Sequence, residues 1–248
     1  MLDVRALTVR VGGKLVLRDV DLRIDTGETV VLFGPNGCGK TSLLKTIMGG
    51  ADYRIESGCI LFRGRDITAL GMDERARLGI GLAFQRPPAV RGVKLAGILR
   101  SCLGKRGAFR EQELAGLAAE LNLEEFLDRD LNLGFSGGEI KRSELLQLMA
   151  QAPFFVMLDE PDSGVDLVNI RLVGLAISQL LEKEKPAAGG EKAGLIVTHS
   201  GYILDYVNAD RACIMLDGTI CCSGSPRELL EDIRAKGYEG CVQCRGQK

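Results

Sequence analysis

The sequence predicts an α/β fold, and three patterns support this prediction. The first is an uninterrupted apolar run, Thr29–Phe33, followed by a glycine-rich loop and by helical spacing over Lys40–Met48. The second is a pair of apolar runs at 154–158 and 194–198, separated by a helical pattern. Such runs are typical of parallel strands buried on both faces. The third is a segment from about 86 to 151 with helical spacing and little strand character, which predicts an inserted helical subdomain.

Turn residues between short β-rich runs predict an antiparallel β-subdomain at the amino-terminal end. Residues 7–11 and 15–17 flank Gly12-Gly13, which is the pattern of a hairpin. Asp217-Gly218 predicts a second hairpin late in the chain, and Pro226 is typical of the first turn of a helix. Both hairpins lie outside the predicted helical segment, so the strands belong to the two ends of the chain.

The chain of 248 residues is 46% hydrophobic, which suffices for a substantial buried core. We expect a single domain over residues 1–248. Within it, residues 1–85 and 152–248 are predicted to form the α/β core with its β-subdomain, and about 86–151 the helical subdomain. The polar segment 182–192 contains proline and glycine and is predicted to be a loop.

Charge and hydropathy exclude two classes of partner. The 32 Lys and Arg residues nearly balance the 33 Asp and Glu residues, whereas a nucleic-acid partner would require an excess of basic residues. No apolar run approaches the roughly 18 residues of a membrane span. The first five residues lack the layout of a signal peptide. We therefore expect a cytoplasmic protein with no nucleic-acid partner and no segment inserted in a membrane.

A phosphate-binding loop follows the strand at 29–33. It matches the pattern GxxxxGK[ST], and its residues are Gly34, Pro35, Asn36, Gly37, Cys38, Gly39, Lys40 and Thr41, with Ser42 as a further hydroxyl. Glycines let successive backbone N–H groups face phosphate oxygens, and the helix that follows adds its positive end. Lys40 is expected to contact the β- and γ-phosphates and Thr41 to hold Mg²⁺. A chance glycine turn would not need a strand before it and a helix after it.

Asp159 and Glu160 end the apolar run at 154–158 and supply the acidic half of the predicted site. At the carboxyl end of a buried strand, Asp159 can hold Mg²⁺ directly or through water. Glu160 can orient and deprotonate the attacking water, which is worth about 10²–10⁴-fold in rate. An acidic pair that caps the next helix is the alternative, and the phosphate-binding loop favours the catalytic interpretation.

Two further polar side chains follow predicted strands. Gln85 comes after the run 81–84, where its amide can lie near the metal ion or the attacking water. His199, the only histidine, follows the run 194–198 and can reach a γ-phosphate. Taken alone, each residue is more often structural. Their order along the chain, together with the other motifs, favours a role in the site.

These residues together resemble the ATP-binding cassette (ABC) ATPases over nearly the whole chain. The resemblance implies that Gln85 is the Q-loop glutamine and His199 the switch histidine. It also implies a signature motif at Ser136, Gly137, Gly138 and Glu139, and a D-loop that includes Ser163, Gly164 and Asp166. The signature opens a predicted helix and so makes a second anion-binding helix end. Since one chain cannot bring both glycine motifs to one γ-phosphate, the resemblance implies two ATP molecules enclosed by a head-to-tail homodimer.

Several motif sequences are similar to those of a narrower group, the SufC-type ATPases of the SUF iron–sulfur cluster assembly system. Most transporter ATPases carry Gln where this chain has Glu139. The other matching spellings are Lys141-Arg142, Asp162-Ser163-Gly164, Gln85-Arg86-Pro87-Pro88, Ile203-Leu204-Asp205-Tyr206 and Lys236-Gly237-Tyr238. The resemblance implies an ATPase that docks on a SufB- or SufD-like scaffold, which ATP-driven closure of the dimer would reshape.

Two other interpretations remain open. The nucleotide-binding subunit of an ABC membrane transporter shares every catalytic residue and differs only in these spellings. A structural or DNA-maintenance cassette ATPase usually inserts a long coiled coil, for which this chain has no room. The residue that contacts adenine is unassigned, because no aromatic residue lies near 9–13, where many cassette ATPases stack a tyrosine on the base.

Two features of the eight cysteines, a cysteine in the glycine loop and a CxxC pair, invite specific hypotheses. Cys38 lies in the glycine loop beside a helix N-terminus, a place that lowers the pKa of a thiol, so alkylation there is expected to block ATP binding. The alternative, which we favour, is that Cys38 simply takes the place of a serine or alanine. Cys241 and Cys244 form a CxxC in a polar tail. A dithiol without bound metal is favoured there, because one pair supplies too few ligands for zinc or a cluster.

Overall fold

The computed structural model describes residues 1–104, 111–182 and 191–245. It confirms the predicted α/β fold: a mixed central sheet, an antiparallel β-subdomain and a group of helices. The division of the chain at about 86 and 151 stays a prediction. The predicted loop at 182–192 lies largely outside the described residues.

A six-stranded sheet forms the centre of the molecule. Across the sheet its strands are Thr219–Gly224 (β12), Arg211–Leu216 (β11), Thr29–Phe33 (β3), Ala193–Val197 (β10), Phe155–Asp159 (β9) and Ile80–Ala83 (β6). All neighbours pair in parallel except β11 and β12, which form the hairpin predicted at Asp217-Gly218. Every residue of β3, β9 and β10 is buried, as their continuous apolar runs predict. The carboxyl ends of these strands carry the candidate site.

The β-subdomain is a four-stranded antiparallel sheet. Its order is Lys14–Ile24 (β2), Leu2–Val11 (β1), Arg54–Phe62 (β4) and Arg65–Asp66 (β5). Gly12 and Gly13 both have positive φ, which confirms the predicted hairpin. Strand β4 escaped prediction because it is largely exposed and contains Gly58. That glycine has φ 87°, and a Cβ there would collide with the Arg5 and Ala6 carbonyls of β1.

Seven helices are assigned within the described residues. They are Lys40–Met48 (α1), Met72–Arg77 (α2), Leu95–Gly104 (α3), Glu111–Glu120 (α4), Gly137–Gln151 (α5), Leu167–Leu180 (α6) and Pro226–Arg245 (α7). Helix α7 is interrupted at Gly237, which has φ 71°. The segment expected to have little strand character also contains a small sheet, formed by Val90–Lys94 (β7) and Asp130–Leu131 (β8). None of the helices within the described ranges is long and apolar enough to cross a membrane.

Two apolar clusters lie on opposite faces of the central sheet. One joins the sheet to α3, α4, α5 and α6, and the other joins it to α1 and the β-subdomain. Alternate residues of β3 divide between them: Val31 and Phe33 belong to the first, Val30 and Leu32 to the second. Because both faces are covered, the strand ends are held rigidly where the loops leave the sheet.

Candidate functional site

The glycine loop joins β3 to α1 and wraps around the side chain of Lys40. Gly34, Gly37 and Gly39 have φ of 158°, 80° and 114°, which other residues rarely adopt. Lys40 is 5% exposed, and its Nζ donates hydrogen bonds to the carbonyls of Gly34 at 2.7 Å and Pro35 at 2.9 Å. The loop is thus already folded around the cation that a phosphate group would contact.

Thr41 and Asp159 meet at the carboxyl ends of β3 and β9. The Thr41 hydroxyl donates to Asp159 Oδ1 at 3.2 Å. Burial raises the pKa of Asp159, the hydrogen bond from Thr41 opposes this shift, and the nearby Glu160 carboxylate adds to it. A hydroxyl beside a carboxylate is a set of oxygen donors that suits Mg²⁺.

Gln85, Glu160 and His199 converge although they are far apart in sequence. Gln85 Nε2 donates to Glu160 Oε2 at 2.6 Å, and His199 Nδ1 lies 3.4 Å from Glu160 Oε1. Glu160 is 6% exposed, and its N–H donates to the Val197 carbonyl at 2.9 Å. Its φ of 51° is a strained conformation for a non-glycine residue, and such strain is concentrated at functional sites.

These groups surround a cavity of about 250 Å³. Its lining is contributed by Asn36, Gly37, Gly39, Lys40, Thr41, Ser42, Gln85 and Glu160. The structure therefore brings the loop, the glutamine and the glutamate into one polar site, as the sequence predicts. Asp159 and His199 lie directly behind it through their contacts with Thr41 and Glu160.

The signature residues do not line this cavity. Ser136 caps α5: its Oγ accepts from the Glu139 N–H at 3.4 Å, and Glu139 Oε2 accepts from the Ser136 N–H at 2.7 Å. This reciprocal capping box explains why the helix starts there. Ser136 and Gly137 are exposed, so the amino-terminal end of α5 is presented to solvent.

The D-loop runs beside the signature of the same chain. Ser163 and Gly164 are exposed, and a Cβ at Gly137 would lie 3.0 Å from the Gly164 carbonyl. Asp166 caps α6 by accepting from the backbone and side-chain nitrogens of Asn169 at 2.9 and 2.7 Å. The two motifs thus form one continuous exposed surface.

Three buried connections around the site carry no local sequence signal. Asp162 accepts hydrogen bonds from Thr198 at 2.8 Å and from Ser200, so it ties the D-loop to the segment that carries His199. Lys141 of α5 donates to the carbonyls of Phe84 at 3.1 Å and Gln85 at 3.2 Å. Sequence spacing cannot find such contacts because their members lie 36 to 57 residues apart.

The third connection joins the last helix to the glycine loop. Burial raises the pKa of Tyr238, and the backbone N–H of Gly34, which lies near the tyrosine hydroxyl, opposes this shift. Tyr238 directly follows Gly237, where α7 is interrupted. The break in the helix thus precedes the residue that reaches the loop.

The cysteines differ from the prediction in two respects. Burial raises the pKa of Cys38 despite the nearby Lys40 ammonium, so the expectation of a lowered pKa is wrong. Cys241 is buried in α7 against the core, so the prediction that it lies in a polar tail is wrong. The side chain of Cys244 lies outside the described residues. Within the described part of the chain, no group of three or more His, Cys, Asp or Glu residues is arranged to hold a metal.

A family model described as "ABC transporter" matches residues 17–163, more than half of the chain. The chain belongs to the ABC transporter family. It is an ATP-binding cassette ATPase, and the converging glycine loop, Gln85 and Glu160 are consistent with this assignment.

Curated relatives match along nearly the full length. A probable ATP-dependent transporter of Synechocystis is 38% identical, with 96% of this chain and 94% of the relative covered. The probable ATP-dependent transporter SufC of Escherichia coli is 34% identical, with 96% and 97% covered. A probable ABC transporter ATP-binding protein of Streptococcus pyogenes is 36% identical over 99% of this chain and 96% of the relative. These relatives support the SufC-like resemblance.

Solved structures confirm the fold. The ATP-binding subunit of an ABC transporter aligns with a TM-score of 0.78 at 23% identity, and covers all of both chains. A dimeric bacterial ABC transporter cassette aligns with a TM-score of 0.76 at 22% identity over 92% of this chain and 99% of the other.

Proposed function

We propose that this chain is the SufC-like ATPase subunit of an iron–sulfur cluster assembly complex. Two copies would close on ATP, and this closure would drive a conformational change in a SufB- or SufD-type scaffold. The observation that carries the ATPase part is the convergence of Gln85, His199 and Glu160 on the cavity that Lys40 and Thr41 line.

Each residue has a role that follows from its position. The glycine loop and Lys40 bind the phosphates. The oxygens of Thr41, Asp159 and Gln85 fit Mg²⁺, which when bound would neutralise phosphate charge. Glu160 accepts a proton from the attacking water, and Gln85 and His199 orient Glu160 through their contacts with it at 2.6 and 3.4 Å. His199 is also expected to contact the γ-phosphate.

The second half of each site is assigned to the partner copy. Ser136 caps α5, and Gly137, Gly138 and Glu139 form its first turn. Ser136 and Gly137 are exposed, and helix N-termini bind anions. Ser163, Gly164 and Asp166 lie against them in the same chain. A head-to-tail dimer would place this surface over the γ-phosphate held by the other chain.

The scaffold role is supported by the SufC-type spellings and by the likeness to E. coli SufC over 96% of the chain. The alternative is the nucleotide-binding subunit of a membrane transporter, which the names of several relatives favour.

An affinity pull-down from cytosol and from membranes distinguishes the two. We expect a SufB- or SufD-like protein to co-purify without detergent and to raise ATP turnover when it is added back. Recovery of a permease, and only from detergent-solubilised membranes, would establish the transporter role instead.

A further inference from the structure

The loop that leads into α5 turns sharply just before the signature. Asn132 and Gly134 have φ of 56° and 71°, so the chain enters the left-handed region twice within three residues. Leu133 and Gly134 are exposed, whereas Phe135 is buried in the apolar cluster that includes α3, α4 and α5. An exposed loop with two such turns holds one conformation only where neighbouring residues fix it.

The side chain of Arg129 supplies such contacts. Its Nη2 donates a hydrogen bond to the Gly134 carbonyl at 3.3 Å. Its Cζ lies 4.8 Å from the ring centroid of Phe126 and 5.0 Å from that of Phe135. The centroids of the two rings are 4.9 Å apart, and the ring planes are inclined by 70°. One guanidinium thus contacts both rings and the loop carbonyl, as a planar cation with several donors can.

The backbone of Arg129 is fixed as well. Its carbonyl accepts a hydrogen bond from the N–H of Leu95, the first residue of α3, at 3.1 Å. Its N–H donates to the Phe126 carbonyl at 3.0 Å. Because the side chain itself is exposed, its removal costs the buried core little. Its contacts therefore concern the conformation of the loop.

We propose that Arg129 is a positioning residue for ATP hydrolysis in the partner copy: it holds the loop so that the start of α5 faces the γ-phosphate. Ser136 follows Phe135 directly, and its side chain is engaged in its own capping box. The orientation of the first turn of α5 therefore depends on the residues that precede it.

The expected effect follows from the role of backbone N–H groups at a helix end. Such groups stabilise developing charge only when they are already oriented, and a small displacement lowers the rate strongly. Arg129 acts through the loop and does not itself touch the nucleotide. This inference rests on the proposed function, in particular on the head-to-tail dimer.

ATP turnover of Arg129→Met is the first test. Methionine keeps an unbranched stem against the rings but has neither the charge nor the donors. We expect turnover to fall about 10-fold, while the Kd of a fluorescent ATP analogue stays within about 2-fold of wild type, because the glycine loop is untouched. Arg100→Met, at another exposed arginine of the helical region, is the matched control and should turn over ATP within about 2-fold of wild type. Thermal melts confirm that each variant is folded.

Arg129→Lys is the second variant. It keeps the charge beside the rings but lacks the planar fork, so we expect turnover about 3-fold below that of wild type. Turnover within about 2-fold of wild type in both variants would overturn the inference. A loss of ATP affinity as large as the loss of turnover would also overturn it, because the effect would then lie in the site of the same chain.

An equal mixture of Arg129→Met and Glu160→Gln shows on which chain Arg129 acts. If it acts on the ATP of the partner, half of the dimers keep one intact site, and the mixture should reach about a quarter of wild-type turnover. If it acted on the ATP of its own chain, the mixture would stay near about a twentieth of wild type, which would overturn the inference. Lys40→Ala mixed with Glu160→Gln is the negative control, because both changes lie in the same half of the site.

A parallel mixture of Ser136→Arg and Glu160→Gln reports on the dimer itself. Recovery in that mixture, but not with Arg129→Met, would overturn the role of Arg129 alone. Recovery in neither mixture would overturn the head-to-tail dimer of the proposed function.

Discussion

The two glycine loops of this molecule, both of which we propose to contact ATP, differ in how far each one encloses a ligand. The loop before α1 encloses Lys40 and opens into a cavity shared with Gln85 and Glu160. The loop before α5 is exposed, and its one acidic residue, Glu139, is engaged with its own cap. The first loop lines a phosphate-sized cavity within one chain. The second is an exposed helix end that lines no such cavity, and we propose that it contacts the nucleotide held by another copy.

The largest effect is expected at the first loop, from Glu160→Gln. The variant should hydrolyse ATP about 10²–10⁴-fold more slowly, since it lacks the proton acceptor. It should retain ATP and accumulate as a closed dimer. Single-turnover hydrolysis and size-exclusion chromatography with ATP measure the two results. Unchanged hydrolysis would remove Glu160 as the base.

Lys40→Ala should abolish the first loop as a binding site. Loss of a buried cation that contacts phosphate weakens binding by about 30-fold or more, measured as the Kd of a fluorescent ATP analogue. Lys45→Ala, in the last turn of the same helix, is the control and should bind normally. Equal affinity in Lys40→Ala and Lys45→Ala would contradict the assignment.

Mixing two inactive variants tests whether the second loop acts on the other chain. Ser136→Arg fills the proposed phosphate position at the start of α5, and Glu160→Gln removes the base. Neither homodimer should turn over ATP. A head-to-tail mixed dimer retains one intact site, so an equal mixture should recover about a quarter of wild-type turnover. No recovery would mean that the two loops do not work in trans.

A smaller effect is expected on stability, at Glu144 in the helix that the second loop begins. Burial raises the pKa of Glu144 from 4.5 to about 7, against opposing effects of the Phe84 N–H and the Lys141 ammonium. Between these pH values the folded state binds more protons than the unfolded state. The free energy of unfolding therefore falls as the pH rises from about 4.5 to about 7, by at most about 3 kcal/mol.

Glu144→Gln should remove this slope, because an amide does not titrate. Urea denaturation at pH 5, 6, 7 and 8 measures it for both proteins. Parallel pH profiles would show that Glu144 is ionised equally in the folded and unfolded states.

Sequence patterns predict features that neighbouring residues determine, and they miss contacts between residues far apart in the chain. Four parts of the site can be predicted because each follows the end of a buried strand: the glycine loop, the Asp159–Glu160 pair, Gln85 and His199. The fold confirms the four strands to within about one residue. The hydrogen bond from the Phe84 N–H to Glu144 cannot be predicted in this way, because the two residues lie 60 residues apart. Strand β4 lacks a regular apolar alternation, because four of its first five residues are exposed and only Ile60 and Phe62, near its end, are buried. The pKa of Cys38 depends on burial, which a motif does not encode.

The contact between Tyr238 and the Gly34 N–H has a practical consequence for handling the protein. Affinity tags, truncations and fluorescent labels placed on α7 lie on the helix whose Tyr238 reaches the glycine loop. Kinetic constants measured on a carboxyl-terminal fusion would then report the fusion as much as the enzyme. Tags belong at the amino-terminal end of β1, whose strand lies in the β-subdomain sheet between β2 and β4.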